Sequence, residues 1–283
     1  MSTRLKEFHR PADQFEAVAL LQRSDMRALP VIPSPRPEPL DRLDAEAVVD
    51  LSQLNLSYVK LGVTGLALGA LTPLQSLVES APLQALAGGI VPEAARLSAH
   101  FGMRHWASLE GALAAFDHLP ELTLALLALG AHAVLRHGDG ALRSTPLSDL
   151  VSQGLPPGAL LIEVRCGFKP GAKAGGALER VARTPRDAAI VAAAAVVEVA
   201  DGRCVSARLA LSPAGVPPEQ LMTPVRGLEG QAPTPESLQA VAAAVGALLN
   251  PPADFRGSRE YRRAMAKVVA YRALAAAWQG AQS

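Results

Sequence analysis

Four prolines fall within seven residues at Pro33-Ser34-Pro35-Arg36-Pro37-Glu38-Pro39. Each proline fixes φ and removes a backbone donor, so this stretch can be neither helix nor central strand. It is a stiff, extended loop. It follows two short apolar segments, a helix over Phe15–Gln22 and a strand over Ala28–Ile32. The chain must therefore be assembled from short elements around a rigid connection.

The downstream pattern agrees. Ala47–Leu51 reads as a buried strand, and Leu56–Val63 with Leu66–Leu71 reads as a hairpin turning at Thr64-Gly65. Thr72-Pro73 reads as an N-cap followed by proline at the first helical position of a helix over Leu74–Glu79. Further helices are expected at Glu93–His100 and Leu122–Leu129, the latter ended by Gly130. Ala133–Arg136 and Ala159–Cys166 read as strands, the first turning at Gly138-Asp139-Gly140. Gly167–Gly176 carries four glycines, a proline and two lysines and reads as a linker or mobile loop. Beyond it, Ala188–Val199 and Val205–Ser212 form a hairpin around Asp201-Gly202. Two helices close the chain, Thr234–Leu249, capped at Thr234-Pro235-Glu236, and Ser258–Gln279. The fold class is α+β: two mixed α/β subdomains, over residues 1–52 and 53–170, and a C-terminal antiparallel sheet with helices over 171–283.

Several functions are disfavoured. The net charge is +1 with no basic tract, so nucleic acid is not an expected partner. Cys166 and Cys204 stand far apart without a CxxC; they suit buried reduced thiols, and metal in this chain is not expected. No apolar run is long enough to span a bilayer, and the N-terminal residues MSTRLKEFHRP have no apolar signal core, which implies a cytoplasmic protein. Nucleophile elbow, Walker loop, HExxH and GxGxxG are all missing. His100 and His105 read as loop histidines, and His132 and His137 as solvated residues flanking a hairpin. Glu110, Asp117 and Glu121 lie close in sequence; charged loop residues are mostly solvated, so catalysis by them is not expected, and no catalytic residue is assigned. Arg104 and Trp106 read as a packing pair.

The order of segments resembles a known family. Phe8-His9-Arg10-Pro11, Glu16–Leu21 (EAVALL), Ala47–Ser52 (AVVDLS), Leu66–Thr72 (LALGALT), Glu93–Ala114 (EAARLSAHFGMRHWASLEGALA) and Thr123–Arg136 (TLALLALGAHAVLR) are similar to successive motifs of the FAD-binding medium subunit of molybdenum hydroxylases. That group contains carbon monoxide dehydrogenase and xanthine dehydrogenase. Arg183–Val191 and Phe255–Arg263 (FRGSREYRR) resemble its small closing domain. The resemblance implies an FAD-binding fold, a small subunit with [2Fe-2S] clusters, a large molybdopterin subunit, and a dimer of heterotrimers. Partner-facing surfaces are expected at the Gly167–Gly176 loop and on the exposed face of the last helix.

The departures bear on the cofactor. In the family two glycine-rich loops hold the FAD pyrophosphate, because backbone N–H groups must approach the phosphates without a Cβ in the way. The first falls here on Ile32–Pro37 (IPSPRP), the second on Ser108–Ala112 (SLEGA). Prolines lack the N–H, and each lost charge-assisted bond to phosphate costs roughly 1.5–3 kcal/mol. Glu110 places a carboxylate where a pyrophosphate would lie, and the family's "SDL" aligns with Pro120-Glu121-Leu122. If FAD is retained, the resemblance assigns it to Ser34, Arg36, Thr72, Ser108, Gly111 and Glu121. The expectation is a medium subunit with FAD lost or weakened and a structural or assembly role. The alternatives are a working FAD subunit passing electrons from iron–sulfur clusters to quinone, oxygen or NAD, and a stand-alone binding protein on the same fold.

Overall fold

A computed structural model describes residues 5–35, 45–62, 65–167, 173–184 and 187–282, apart from the side chain of Glu219. Strand β1 (Glu7–His9) leads into helix α1 (Gln14–Leu21), whose N-cap Asp13 accepts bonds from the amides of Phe15 and Glu16. Strands β2 (Ala28–Val31) and β3 (Ala47–Asp50) complete a parallel sheet in the order β1-β3-β2. The central strand β3 carries the buried Ala47, Val48 and Val49. Pro33 and Ser34 leave this sheet at the end of β2, while residues 36–44 lie outside the described residues.

A five-stranded antiparallel sheet follows. Its strands are β4 (Val59–Gly62), β5 (Gly65–Gly69), β6 (His132–Arg136), β7 (Leu142–Pro146) and β8 (Leu160–Cys166), in the order β4-β5-β8-β6-β7. Between β5 and β6 lie helices α2 (Leu74–Glu79), α3 (Ala81–Gln84), α4 (Ile90–Ser98), α5 (Phe101–Arg104), α6 (Leu109–Ala114) and α7 (Glu121–Ala128). Helix α8 (Leu147–Gln153) sits between β7 and β8. Pro73 itself occupies the N-cap position of α2, so the expected Thr72 cap does not form. The Thr72 hydroxyl is instead buried against the backbone of Tyr58.

The third sheet is antiparallel, in the order β11-β10-β9, with β9 at Lys173–Val181, β10 at Val191–Ala200 and β11 at Arg203–Ser212. Helices α9 (Pro218–Arg226), α10 (Pro235–Leu248) and α11 (Arg259–Gln282) follow it. Strand β10 is buried on both faces, which explains its unbroken apolar run. Ala192, Ala194 and Val196 join the core built with α4 and α7, whereas Val191, Ala193, Ala195 and Val197 join the core built with α10 and α11. Alternate side chains of one strand thus fasten two layers. Small alanines let both layers approach closely.

Part of the expected linker is strand. Lys173 to Gly176 pair with Val199 to Val196 at the start of β9, while residues 168–172 lie outside the described residues. Gly175 serves close packing there: a Cβ would stand 2.1 Å from the carbonyl oxygen of Ala277 in α11. Among the described residues no helix is long and apolar enough to cross a membrane. Nor do three or more His, Cys, Asp or Glu side chains gather among them into a metal-holding group. Cys166 and Cys204 are buried and form no disulfide, and burial pushes the Cys166 thiol up to about 12.

Candidate functional site: a closed loop junction and two buried glutamates

The sequence places a phosphate loop at Ser108–Ala112. In the fold these residues are the N-cap and first turn of α6, a six-residue helix. Ser108 is the cap, its hydroxyl oxygen accepting from the Gly111 amide at 3.1 Å. The proline-bearing loop lies directly on this turn. The Pro33 carbonyl accepts from the Ser108 amide at 2.8 Å and from the Ser108 hydroxyl at 2.9 Å, and the Ser34 hydroxyl donates to the Gly111 carbonyl at 3.2 Å. Gly111 is needed for this approach, since a Cβ there would stand 2.0 Å from the Pro33 oxygen.

Every amide of the turn is engaged within the chain. Ser108 donates to Pro33, Leu109 to the Thr72 carbonyl at 2.9 Å, Glu110 to the Ala70 carbonyl at 2.9 Å, Gly111 to the Ser108 hydroxyl, and Ala112 to the Ser108 carbonyl at 3.0 Å. Pro33 and Pro35 have no N–H to offer. A pyrophosphate is held by free donors converging on it. In this geometry the five donors of Ser108–Ala112 already have acceptors, so this turn does not fit a phosphate.

Ser34, Ser108, Gly111 and Thr72 are thus brought together, with Pro73 bridged to Ser108. Arg36 lies outside the described residues. Glu121 points elsewhere. It opens α7, is fully buried, and bonds Arg180 of β9 at 2.8 Å; Arg180 also donates to the carbonyl of Asp187. Burial raises the Glu121 pKa against the opposing pull of Arg180.

Glu110 corrects the expectation of a solvated acid on a loop. It lies in α6, is 5% exposed, and its Oε2 has no partner. Desolvation alone pushes its pKa up to about 8. The residue borders a mostly apolar pocket of about 270 Å³, walled by Ile32 after β2, Leu113 in α6, Leu147 and Leu150 in α8, and Leu161 in β8. Asp117 also lines this cavity but is exposed. Residue type alone did not reveal the burial of Glu110; its place two residues after a cap serine, on the inward face of a first turn, is the signal that could have.

Other singled-out residues stand apart from the junction. Arg104 donates to Gln75 and to the carbonyls of Arg96 and Ala99, while Trp106 is half exposed rather than packed away. The His105 ring meets the Phe101 ring edge-on.

Residues 3–166 match the family described as the FAD binding domain in molybdopterin dehydrogenase, and residues 176–277 match the CO dehydrogenase flavoprotein C-terminal domain. A carbon monoxide dehydrogenase medium chain of Afipia carboxidovorans is 30% identical over 276 residues, covering 95% of each chain. That of Hydrogenophaga pseudoflava is 31% identical over 288 residues, covering 96% of each. In a crystal structure of the Cu,Mo-CO dehydrogenase, a chain 29% identical superposes with a TM-score of 0.84 over 99% of this chain and all of its own. Two family domains in sequence, near-complete coverage and a shared fold give one answer: the chain belongs to the family of FAD-binding medium subunits of molybdenum hydroxylases.

Proposed function

We propose that this chain serves as the medium subunit of a cytoplasmic molybdenum hydroxylase complex in which FAD binding is weakened or lost, leaving a structural and assembly role. The engagement of all five amides from Ser108 to Ala112 carries this reading. A phosphate would have to displace those internal bonds, each worth about 0.5–1.5 kcal/mol net, before making its own. Two prolines in the facing loop and the carboxyl of Glu110 argue the same way.

The partners in this reading are a small subunit with [2Fe-2S] clusters and a large molybdopterin subunit, in a dimer of heterotrimers. The description "medium chain" shared by the relatives supports larger and smaller partner chains. Electrons from the large subunit would leave through the iron–sulfur subunit. A working FAD subunit is the second reading, favoured by the match of the FAD-binding domain across residues 3–166 despite the altered loops.

The test is to purify the native complex, denature it, and assay released flavin against protein, iron and molybdenum. Iron and molybdenum without flavin is the expected result. About one FAD for each copy of this chain overturns the proposal and directs the search for phosphate donors to Arg36 and its neighbours.

A further inference from the structure

Helix α10 departs from the pattern of a surface helix. Leu238, Val241, Ala242 and Val245 are buried, as a helix lying on a core requires. The other side should then be polar, yet Ala240, Ala243, Ala244, Ala247 and Leu248 stand exposed on it, Leu248 at 42%. Glu236, in the first turn, is the only charged residue of the helix. A helix that is apolar all round is normally covered all round. An open groove of about 450 Å³ lies between α10 and α11, with Ala243, Val268 and Tyr271 on its walls.

The charge beside this groove has one sign. Helix α11 carries Arg259, Arg262, Arg263, Lys267 and Arg272 against a single acid, Glu260. Arg262 pairs with Asp254, and Arg259 and Arg263 donate to the carbonyls of Pro251 and Leu249. Lys267 and Arg272 are exposed, and neither pairs with a carboxylate among the described residues. The methylenes of Lys267 lie across Gly246, where a Cβ would stand 2.4 Å from its Cγ, and Lys267 lines the groove.

We infer that this groove docks a helix of a partner chain, one that presents a stripe of small apolar residues flanked by carboxylates. Alanines on α10 let the two helix backbones approach closely, and the carboxylates answer Lys267 and Arg272. The exposed face of α10 is about 21 Å long and about 10 Å wide, so with the groove it offers on the order of 200–400 Å². A stable two-chain interface buries roughly 800 Å² on each side. A second copy of this chain would therefore gain too little, and would bring the same two cations to the contact. A partner that also grips the chain elsewhere needs no more.

The inference rests on the reading that the chain works within a complex. Ala244→Cys places a thiol on the exposed face, while Cys166 and Cys204 are buried. The isolated chain and the purified complex carrying this variant are treated with N-ethylmaleimide, and modification of residue 244 is followed by mass spectrometry. Modification is expected to be about tenfold or more slower in the complex, because interface cores pack like protein interiors. Lys267→Glu should restore much of the rate by repelling the partner's carboxylates, whereas Lys267→Arg should keep the protection. Ala247→Cys repeats the measurement, so that a local effect of one substitution does not decide it. Equal rates in the isolated chain and the complex overturn this inference alone. Protection that survives Lys267→Glu also overturns it. Protection that appears in the isolated chain as its concentration rises assigns the face to a second copy and overturns the partner helix. A chain that copurifies with no other overturns both this inference and the reading of a medium subunit in a complex.

Discussion

Of the four glutamates buried among the described residues, Glu110 and Glu121 are held by opposite means. At the start of α7, Glu121 is fully buried and meets Arg180 from the C-terminal sheet. In α6, Glu110 is nearly as buried, but no ion pair holds it among the described residues, and its Oε2, like that of Glu121, has no hydrogen-bond partner. In the first region the charge is answered inside the chain and ties the helices around α7 to β9. In the second it is left unanswered beside a cavity. Burial alone therefore does not show how a charge is held; the presence of an internal partner does.

The sharpest way to break this comparison is to remove a partner. Glu121→Ala leaves Arg180 facing a buried hole, and breaking a buried pair costs about 3–5 kcal/mol. Urea unfolding should show that loss. Replacing both residues with apolar ones, Glu121→Leu with Arg180→Met, should recover most of it, because no uncompensated charge then remains. If the single and double variants lose equally, Glu121 is held by shape and not by charge.

Glu110 should behave in the opposite sense. Its pKa rises from the ordinary 4.5 to about 8 on folding, because burial disfavours the carboxylate, so the folded chain binds the proton more tightly. This contribution is fully present below pH 4.5, declines as pH rises between 4.5 and 8, and is gone above that window. At about 1.4 kcal/mol per pH unit the upper bound is about 5 kcal/mol, and relaxation around the ionised carboxylate reduces it to about half. Glu110→Gln should flatten this part of the profile and be the more stable protein at pH 9 by about 2 kcal/mol. Equal slopes in both proteins would mean that Glu110 ionises in contact with water.

The loop junction is the third point of attack. A Cβ at position 111 would collide with the Pro33 carbonyl, which is backbone and yields little. Gly111→Ala should cost about 1–3 kcal/mol through overpacking, read as a lowered unfolding midpoint in urea. A neutral result would show that the two loops separate easily, and would reopen the junction to a phosphate.

Much of this architecture was legible from residues. The hairpin of β10 and β11 follows from two apolar runs around Asp201-Gly202, and Thr234 caps α10 as expected, completed by Ser237. The illegible parts depend on contacts distant in sequence. Gly175 and Gly176 read as linker because glycine usually marks loops, yet in β9 Gly175 makes room for α11 about a hundred residues later. Likewise Ser108–Ala112 read as a loop because a cofactor was expected to bind it. The Pro33 carbonyl, 75 residues away, supplies the internal acceptor instead. The burial of Glu110 and Glu121 escaped notice because charged side chains are rarely fully buried, so residue type pointed to solvent.

The smallest expected effect gives the cleanest distinction at the junction. Ser34 is half-buried and donates to the Gly111 carbonyl at 3.2 Å, a neutral hydrogen bond. Ser34→Ala should cost about 0.5–1.5 kcal/mol if the hydroxyl serves only to join the two loops. In that case the flavin content of the purified complex stays where it was. If Ser34 turns outward to hold a phosphate, the same substitution spares stability and lowers bound flavin. Stability and flavin content move in different directions under the two readings, so one variant with two measurements separates a loop that closes on the protein from a loop that closes on a cofactor.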